Sequence, residues 1–276
     1  MSAISVYSRW KDPRLLWLGL PVLIYAPALT GEFVYDDKAI TVVENPALRG
    51  EIPWLEILLT WDRPLREFTY MLDHALWGFN PLGYHLQNLA WHVANVFLLY
   101  FFLQYLGVKR SVGYAAALLF AVHPINTESV AWISGRKELI CLFFELSACR
   151  LFVCALCQPS LSSSAARLAY AGSLITLVLA LLSKQVAVVL PFLMALTAWL
   201  YFRSRQPSIP WGKIGKRLVF PAFITLAFLL FSYQIIERLD WAQEQGTFFD
   251  PAAREIEYTP LSALLTSGAT FGQSIW

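Results

Sequence analysis

An all-α bundle of membrane-spanning helices is the fold class this sequence predicts, and three observations predict it. Of the 276 residues, 57% are hydrophobic and 14% are charged, where a soluble domain carries roughly 25% charge. Apolar runs close to membrane length recur seven times, and the mean hydropathy is +0.52. Lys and Arg concentrate in alternate connections between those runs, the pattern that orients polytopic proteins.

A spanning helix needs about 20 apolar residues, with a range of roughly 17 to 25. The expected spans are Leu15–Leu29, Tyr84–Leu106, Val112–Val122, Leu139–Leu156, Ala166–Leu182, Val186–Phe202 and Leu218–Ile236. The first comes after Arg9 through Arg14 and resembles a signal peptide. The apolar run passes directly into Gly31-Glu32, and an uncleaved first helix is expected. Val112–Val122 is short and continues through His123 if protein shields that polar end. Ser160–Ser164 reads as a linker. A partial eighth span begins at Leu261.

The first external loop, Thr30 to Gly83, is too long for a simple connector. Within it, Pro53-Trp54-Leu55-Glu56-Ile57-Leu58-Leu59-Thr60-Trp61 starts with a proline suited to a first helical turn. Its apolar residues predict a helix lying along the membrane surface. With the N-terminus cytoplasmic, the cytoplasmic segments hold eleven basic residues, from Arg9, Lys11 and Arg14 to Lys216 and Arg217, against one acid, Asp12. The opposite side collects the acids Glu32, Asp36, Asp37, Glu44, Glu51, Glu56, Asp62, Glu67, Asp73, Glu128 and Glu138. It also takes a last loop from Glu237 to Glu257.

Cys141, Cys149, Cys154 and Cys157 lie in one apolar stretch without zinc-site spacing. They read as small apolar residues of a helix. Five polar clusters fall on the outer side: Asp36-Asp37; Trp61 to Arg66; Gly83 to Asn88 with His92 and Asn95; His123 to Glu128, continuing through Ser134 to Glu138; and Ser183-Lys184-Gln185. Each has a structural explanation. Arginines snorkel to headgroups. His85, Asn88, His92 and Asn95 share one helix face and can serve interhelical hydrogen bonds. Together, however, the clusters converge on one side of the membrane at the ends of different spans. Cations there can hold a phosphate and stabilise charge on its departure, and a carboxylate can take the proton of an attacking hydroxyl. That composition suits transfer from a lipid-linked phosphate donor.

The order of motifs is Phe33-Val34-Tyr35-Asp36-Asp37, Glu44-Asn45-Pro46, Arg63-Pro64-Leu65, Asn80-Pro81-Leu82-Gly83-Tyr84-His85 with Asn88 and His92, Phe120 through Ala131, Gly135-Arg136-Lys137-Glu138 and Ser183-Lys184. It resembles the membrane portion of the transmembrane and tetratricopeptide-repeat O-mannosyltransferase-like family, of the GT-C glycosyltransferase class. The resemblance implies a GT-C module, a polyprenyl-phosphate sugar donor and transfer of a mannose-like sugar to Ser or Thr hydroxyls of a protein. It makes Asp36 and Asp37 the catalytic pair, with Asp36 preferred as base. It places Arg63, His85, Arg136 and Lys184 at the donor phosphate, with Asn88, His92, His123, Glu128 and Lys137 in support. No metal ligand set and no definite cofactor are implied. Gln185 stands where relatives often carry an acid.

The chain ends at Trp276 before the further spans and repeats that the resemblance implies. One membrane domain over 1–276 is therefore expected, the N-terminal part of a larger module and impaired if alone. A bacterial inner membrane is favoured and the endoplasmic reticulum is the alternative. The competing functions are a transporter or lipid-handling protein, and a non-catalytic truncated scaffold.

Overall fold

The computed structural model describes residues 19–38, 42–60, 63–158, 160, 162–205 and 209–244. The chain divides into two compact units, Met1–Leu229 and Leu230–Trp276. Every contact discussed below lies within the first. Of the second, the described residues are the C-terminal part of the last helix, which ends at Glu244.

The described residues form helices and turns. Five helices are long and apolar enough to cross a membrane: Pro81–Leu106, Ile133–Leu156, Ser164–Ser183, Gln185–Arg203 and Trp211–Tyr233. They coincide with five of the seven expected spans. The other two differ for local reasons. Arg110–Val122 has 13 residues, about 20 Å at 1.5 Å per residue, against a hydrocarbon core of roughly 30 Å. The first expected span has its opening residues, 15–18, outside the described residues. Its remainder folds as a short helix α1, Leu20–Ile24, and a 3-10 turn, Ala26–Thr30. Pro27 disfavours α-helical backbone at the residue before it, so the helix stops ahead of Ala26.

In the long first loop lie α2, Trp54–Thr60, and α3, Pro64–Trp77. The first is a helix where a helix along the membrane surface is expected; Trp61 and Asp62 lie outside the described residues. Both helices obey the rule that proline suits a helix start, Pro53 standing just before α2 and Pro64 opening α3. The next helix, α4, Pro81–Leu106, starts with Pro81 and an Asn80 side chain that accepts from the Leu82 N–H at 3.1 Å. It stops at Gly107, whose φ of 90° lets its N–H close on the Gln104 and Leu103 carbonyls.

The remaining helices are α5, Arg110–Val122; α6, Thr127–Ala131; α7, Arg136–Leu156; α8, Ser164–Ser183; α9, Leu190–Arg203; and α10, Trp211–Glu244. Helix α10 overruns its expected span at both ends. It takes in Lys213, Lys216 and Arg217 before the apolar run and Glu237 after it. Polar residues can carry a helix past the hydrocarbon as well as any others. Residues 245–257 of the expected last loop, and the partial span from Leu261, lie outside the described residues.

Helix α7 packs along α8, and α4 and α9 flank α7. The main core combines Phe102 of α4, Cys149 and Phe152 of α7, Leu177 and Leu181 of α8, and Leu190, Met194 and Ala198 around α9. Cys141 and Cys149 are buried free thiols in this packing. Gly135, at the entry to α7, is pressed against the turn before it. A Cβ there would sit 2.7 Å from Ser129 Cα and 2.8 Å from the Glu128 carbonyl oxygen, and backbone cannot swing aside as a side chain can. Gly135→Ala is expected to cost about 1–3 kcal/mol by overpacking, read as a lower unfolding midpoint of the protein in lipid bicelles.

Candidate functional site

The site is assembled where α4 and α7 begin and α8 ends. Arg136 is the first residue of α7 and is 0% exposed. A guanidinium buried there needs acceptors for its N–H donors, and each of its three nitrogens has one. Nε donates to Asn88 Oδ1 at 2.7 Å, Nη2 to the Tyr84 carbonyl at 2.9 Å, and Nη1 to Gln87 Oε1 at 2.6 Å and Thr69 Oγ1 at 3.3 Å. Nη1 also pairs with the buried Asp73 carboxylate. The plane lies over the Tyr70 ring, 4.6 Å from its centroid. Expected at the donor phosphate, Arg136 is instead enclosed by protein.

Asn88 extends this network. Its amide donates to the Trp132 carbonyl at 2.9 Å and the Ile133 carbonyl at 3.3 Å. Tyr70 donates its hydroxyl to the same Ile133 carbonyl at 2.9 Å. Further along α4, Asn95 donates to the Leu139 carbonyl at 2.8 Å, and His92 Nε2 meets the Ala121 carbonyl at 3.1 Å. The shared face of His85, Asn88, His92 and Asn95 is therefore an interhelical face. His85 is buried beside Gly31, whose Cβ position is 3.1 Å from the ring Nε2.

The two adjacent aspartates separate. Asp37 is 0% exposed. Its Oδ1 accepts from the Ser134 N–H at 3.0 Å and the Ser134 hydroxyl at 2.6 Å, and its Oδ2 from the Val34 N–H at 3.2 Å. Its own carbonyl accepts from the Val42 and Val43 N–H groups. Asp36 is exposed. Tyr35, just before it, has φ of 47°, a conformation uncommon for a bulky residue and met at functional turns.

Burial pushes the Asp37 carboxyl above the usual carboxylate range, and the Ser134 and Val34 bonds and the charge of His85 work against that rise. Glu67 is buried as well. It accepts from Asn45 Nδ2 at 2.7 Å and from Arg66 Nε at 2.8 Å, tying the loop after Asp37 to α3.

A second group of charges lies around Lys137. Arg63, Arg66 and Lys184 are all close enough to act on its charge, and its ammonium sits 5.4 Å from the centre of the Trp132 ring. Lys184 binds Glu138 at 2.6 Å, both side chains partly open to solvent. Of the expected phosphate ligands, Arg63 and Lys184 join this half-open cluster and His85 and Arg136 do not. His123 is exposed at the turn before α6, and Glu128 is exposed on α6 itself; His123 Nδ1 accepts from the Ile125 N–H at 3.2 Å and so shapes that turn. Among the described residues no group of three or more His, Cys, Asp or Glu is placed to hold a metal ion.

Asp73, Tyr70 and Glu67 were not expected at the site. The signal for them was present: they share one face of α3, opposite Leu65, Phe68, Leu72 and Leu76.

Comparison with known proteins bears on this arrangement. The chain is 34% identical over 156 residues to protein O-mannosyl-transferase F38B6.6 of Caenorhabditis elegans, covering 50% of this chain and 22% of that protein. It is 36% identical over 149 residues to human protein O-mannosyl-transferase TMTC1, covering 48% and 17%. It is 36% identical over 163 residues to human protein O-mannosyl-transferase TMTC4, covering 49% and 22%. These relatives are protein O-mannosyl-transferases. The family resemblance carried by the motifs is thus met in the chain's relatives. The chain spans about a fifth of the length of the curated relatives it matches. No family model matches it, and no solved structure matches it.

The raised Asp37 carboxyl has a consequence for stability. A group whose folded value exceeds its unfolded value contributes stability below the unfolded value, near pH 4, and loses it as pH rises through the folded value. The unfolding midpoint of the wild type, measured relative to Asp37→Asn across pH, is expected to be highest at the acid end and to decline upward from about pH 4. Ser134→Ala, which removes the hydroxyl that favours the charged form, should deepen that decline.

Proposed function

We propose that this chain carries the sugar-transfer site of a protein O-mannosyl-transferase. A mannose-like sugar would pass from a polyprenyl-phosphate donor to a Ser or Thr hydroxyl of a protein. The observation that carries the reading is the division of labour between Asp36 and Asp37. Asp37 is spent on Ser134 and the backbone, and so fixes the turn. Asp36 projects to solvent from that fixed turn. The relatives' printed activity supports the same chemistry.

In the reaction, the acceptor oxygen forms a bond to the anomeric carbon while the bond from that carbon to the phosphate oxygen breaks. The hydroxyl proton goes to the Asp36 carboxylate, acting as general base. The lipid phosphate leaves with the bonding electron pair, and Lys137, Arg63 and Lys184 stabilise its charge. Arg136 and Asn88 act by position, Asn88 holding the Trp132 and Ile133 carbonyls and Arg136 the start of α7; His85 is packed beside Gly31. His92 holds α4 to the Ala121 carbonyl and His123 holds the turn before α6, while Glu128 is exposed on α6.

The site end faces away from the cytoplasm in this reading. At the opposite end, Arg205 donates to the Tyr105 and Leu106 carbonyls, and Lys109, Arg110 and Arg203 lie beside these residues in sequence. That basic end suits the cytoplasmic side. The organisms of the relatives, nematode and human, favour the endoplasmic reticulum over a bacterial inner membrane.

The test uses the full-length protein in lipid with a polyprenyl-phosphate mannose donor and an acceptor peptide. Asp36→Asn is expected to lower transfer roughly 100-fold or more, as loss of a general base does, with the unfolding midpoint unchanged. Transfer by Asp36→Asn at the wild-type rate would refute the assignment.

A further inference from the structure

Three buried carboxylates of the site are committed to its frame. Glu67 accepts from Arg66 and Asn45, Asp37 from Ser134, and Asp73 pairs with Arg136. Glu138 is placed differently. It stands in the first turn of α7 beside Lys137 and meets Lys184, the residue that closes α8. Both of its carboxylate oxygens accept from the Lys184 ammonium, at 2.6 and 2.5 Å. Its side chain is 35% exposed and that of Lys184 31%.

The pair therefore sits at the mouth of the site. Glu145, whose charge also acts on Lys184, bonds to the Cys141 thiol and lies about 10 Å further along the helix. At the mouth, Lys137 and Lys184 share one cluster with Arg63. The Trp132 ring lies 5.4 Å from the Lys137 ammonium, and its indole N–H is buried without an acceptor among the described residues. Two ammonium groups and an unspent N–H suit a phosphate. A phosphate bound to Lys184 competes with Glu138 for the same three N–H donors. A pair so open to water can be exchanged, where the sealed Arg136–Asp73 pair cannot.

The two lipids of the proposed transfer differ in charge. The donor is a phosphodiester with one negative charge. The lipid that leaves is a phosphomonoester, which loses a second proton near pH 6 and carries about −1.5 to −2 at pH 7. A purely cationic cluster would hold that product more tightly than the donor and slow its departure. A fixed carboxylate repels a ligand in proportion to the ligand's charge. It acts about twice as strongly on the product as on the donor.

We propose that Glu138 is the residue that lets the lipid monophosphate go. Its carboxylate takes Lys184 in the empty site, yields it to the donor phosphate, and reclaims it as the monoester leaves. The inference rests on the sugar-transfer reading and adds to it a discrimination between product and donor. Glu138 touches no reacting atom in this role; it sets the charge of the cluster.

The test is equilibrium binding to the full-length protein in detergent, by calorimetry, at about pH 8, where a phosphomonoester is fully ionised. The probes are a short-chain prenyl phosphate and its methyl ester, a monoester and a diester of one alcohol. Glu138→Gln is expected to tighten the monoester about 10-fold and the diester about 3-fold, the logarithmic gain following ligand charge. Glu138→Asp keeps the charge and should keep the wild-type ratio of the two affinities. Glu138→Met, which also removes the charge, replaces the amide if that variant does not fold. Equal changes for both esters, or none, would overturn the role of Glu138 and leave sugar transfer standing. Failure of the wild type to bind either ester would overturn both this role and the cluster as a phosphate site.

Discussion

The guanidinium of Arg136, sealed from solvent, touches α3 through Thr69, Tyr70 and Asp73 and α4 through Tyr84, Gln87 and Asn88. Its own position begins α7. The consecutive helices α3 and α4 therefore meet the distant α7 on one planar cation. Removing such a charge from water costs several kcal/mol, which only a full set of partners offsets. Lysine could not replace it, because three donors on a point charge do not match acceptors spread around a plane. This cation sets the arrangement of the site. With α3 fixed on one side and the Trp132–Gly135 turn on the other, Ser134 is held where it locks Asp37.

This constraint separates holding from contact. The residues with the fullest hydrogen bonding, Arg136, Asn88, Glu67 and Asp37, have little left to offer a ligand. Arg63, Lys137 and Lys184 are half-open and Asp36 is exposed; in the proposed reading these are the groups that meet the phosphate and the hydroxyl. A rigid polar layer beneath adaptable charged groups suits transfer chemistry, which gains from positioning and from charges set in place before reaction.

Much of the bundle was legible in the sequence because membrane spanning imposes a simple pattern, an apolar run of sufficient length. Five spans result from it. The shared face of His85, Asn88, His92 and Asn95 was legible from spacing, and its interhelical bonds are those that spacing allows. The burial of Arg136 was not legible, since a charge beside Lys137 and Glu138 at a helix start reads as solvated. The burial of the polar face of α3 was hidden for a related reason. Its polar stripe looked like a water-facing surface, and only the partners across space, Asn45, Ile133 and Arg136, reveal it as the inner one. The different fates of Asp36 and Asp37 depend on Ser134, 97 residues away from Asp37, a pairing no local pattern encodes.

The central claim is that the Arg136–Asp73 contact holds α3 and α7 together as one unit. A double-mutant cycle with Arg136→Met and Asp73→Leu, unfolded in bicelles, tests it most directly. Each single substitution leaves a buried charge without its partner and should cost about 3–5 kcal/mol. The double substitution should then cost far less than the sum, a coupling of about 2 kcal/mol or more. Strictly additive losses, or single losses below about 1 kcal/mol, would contradict the account.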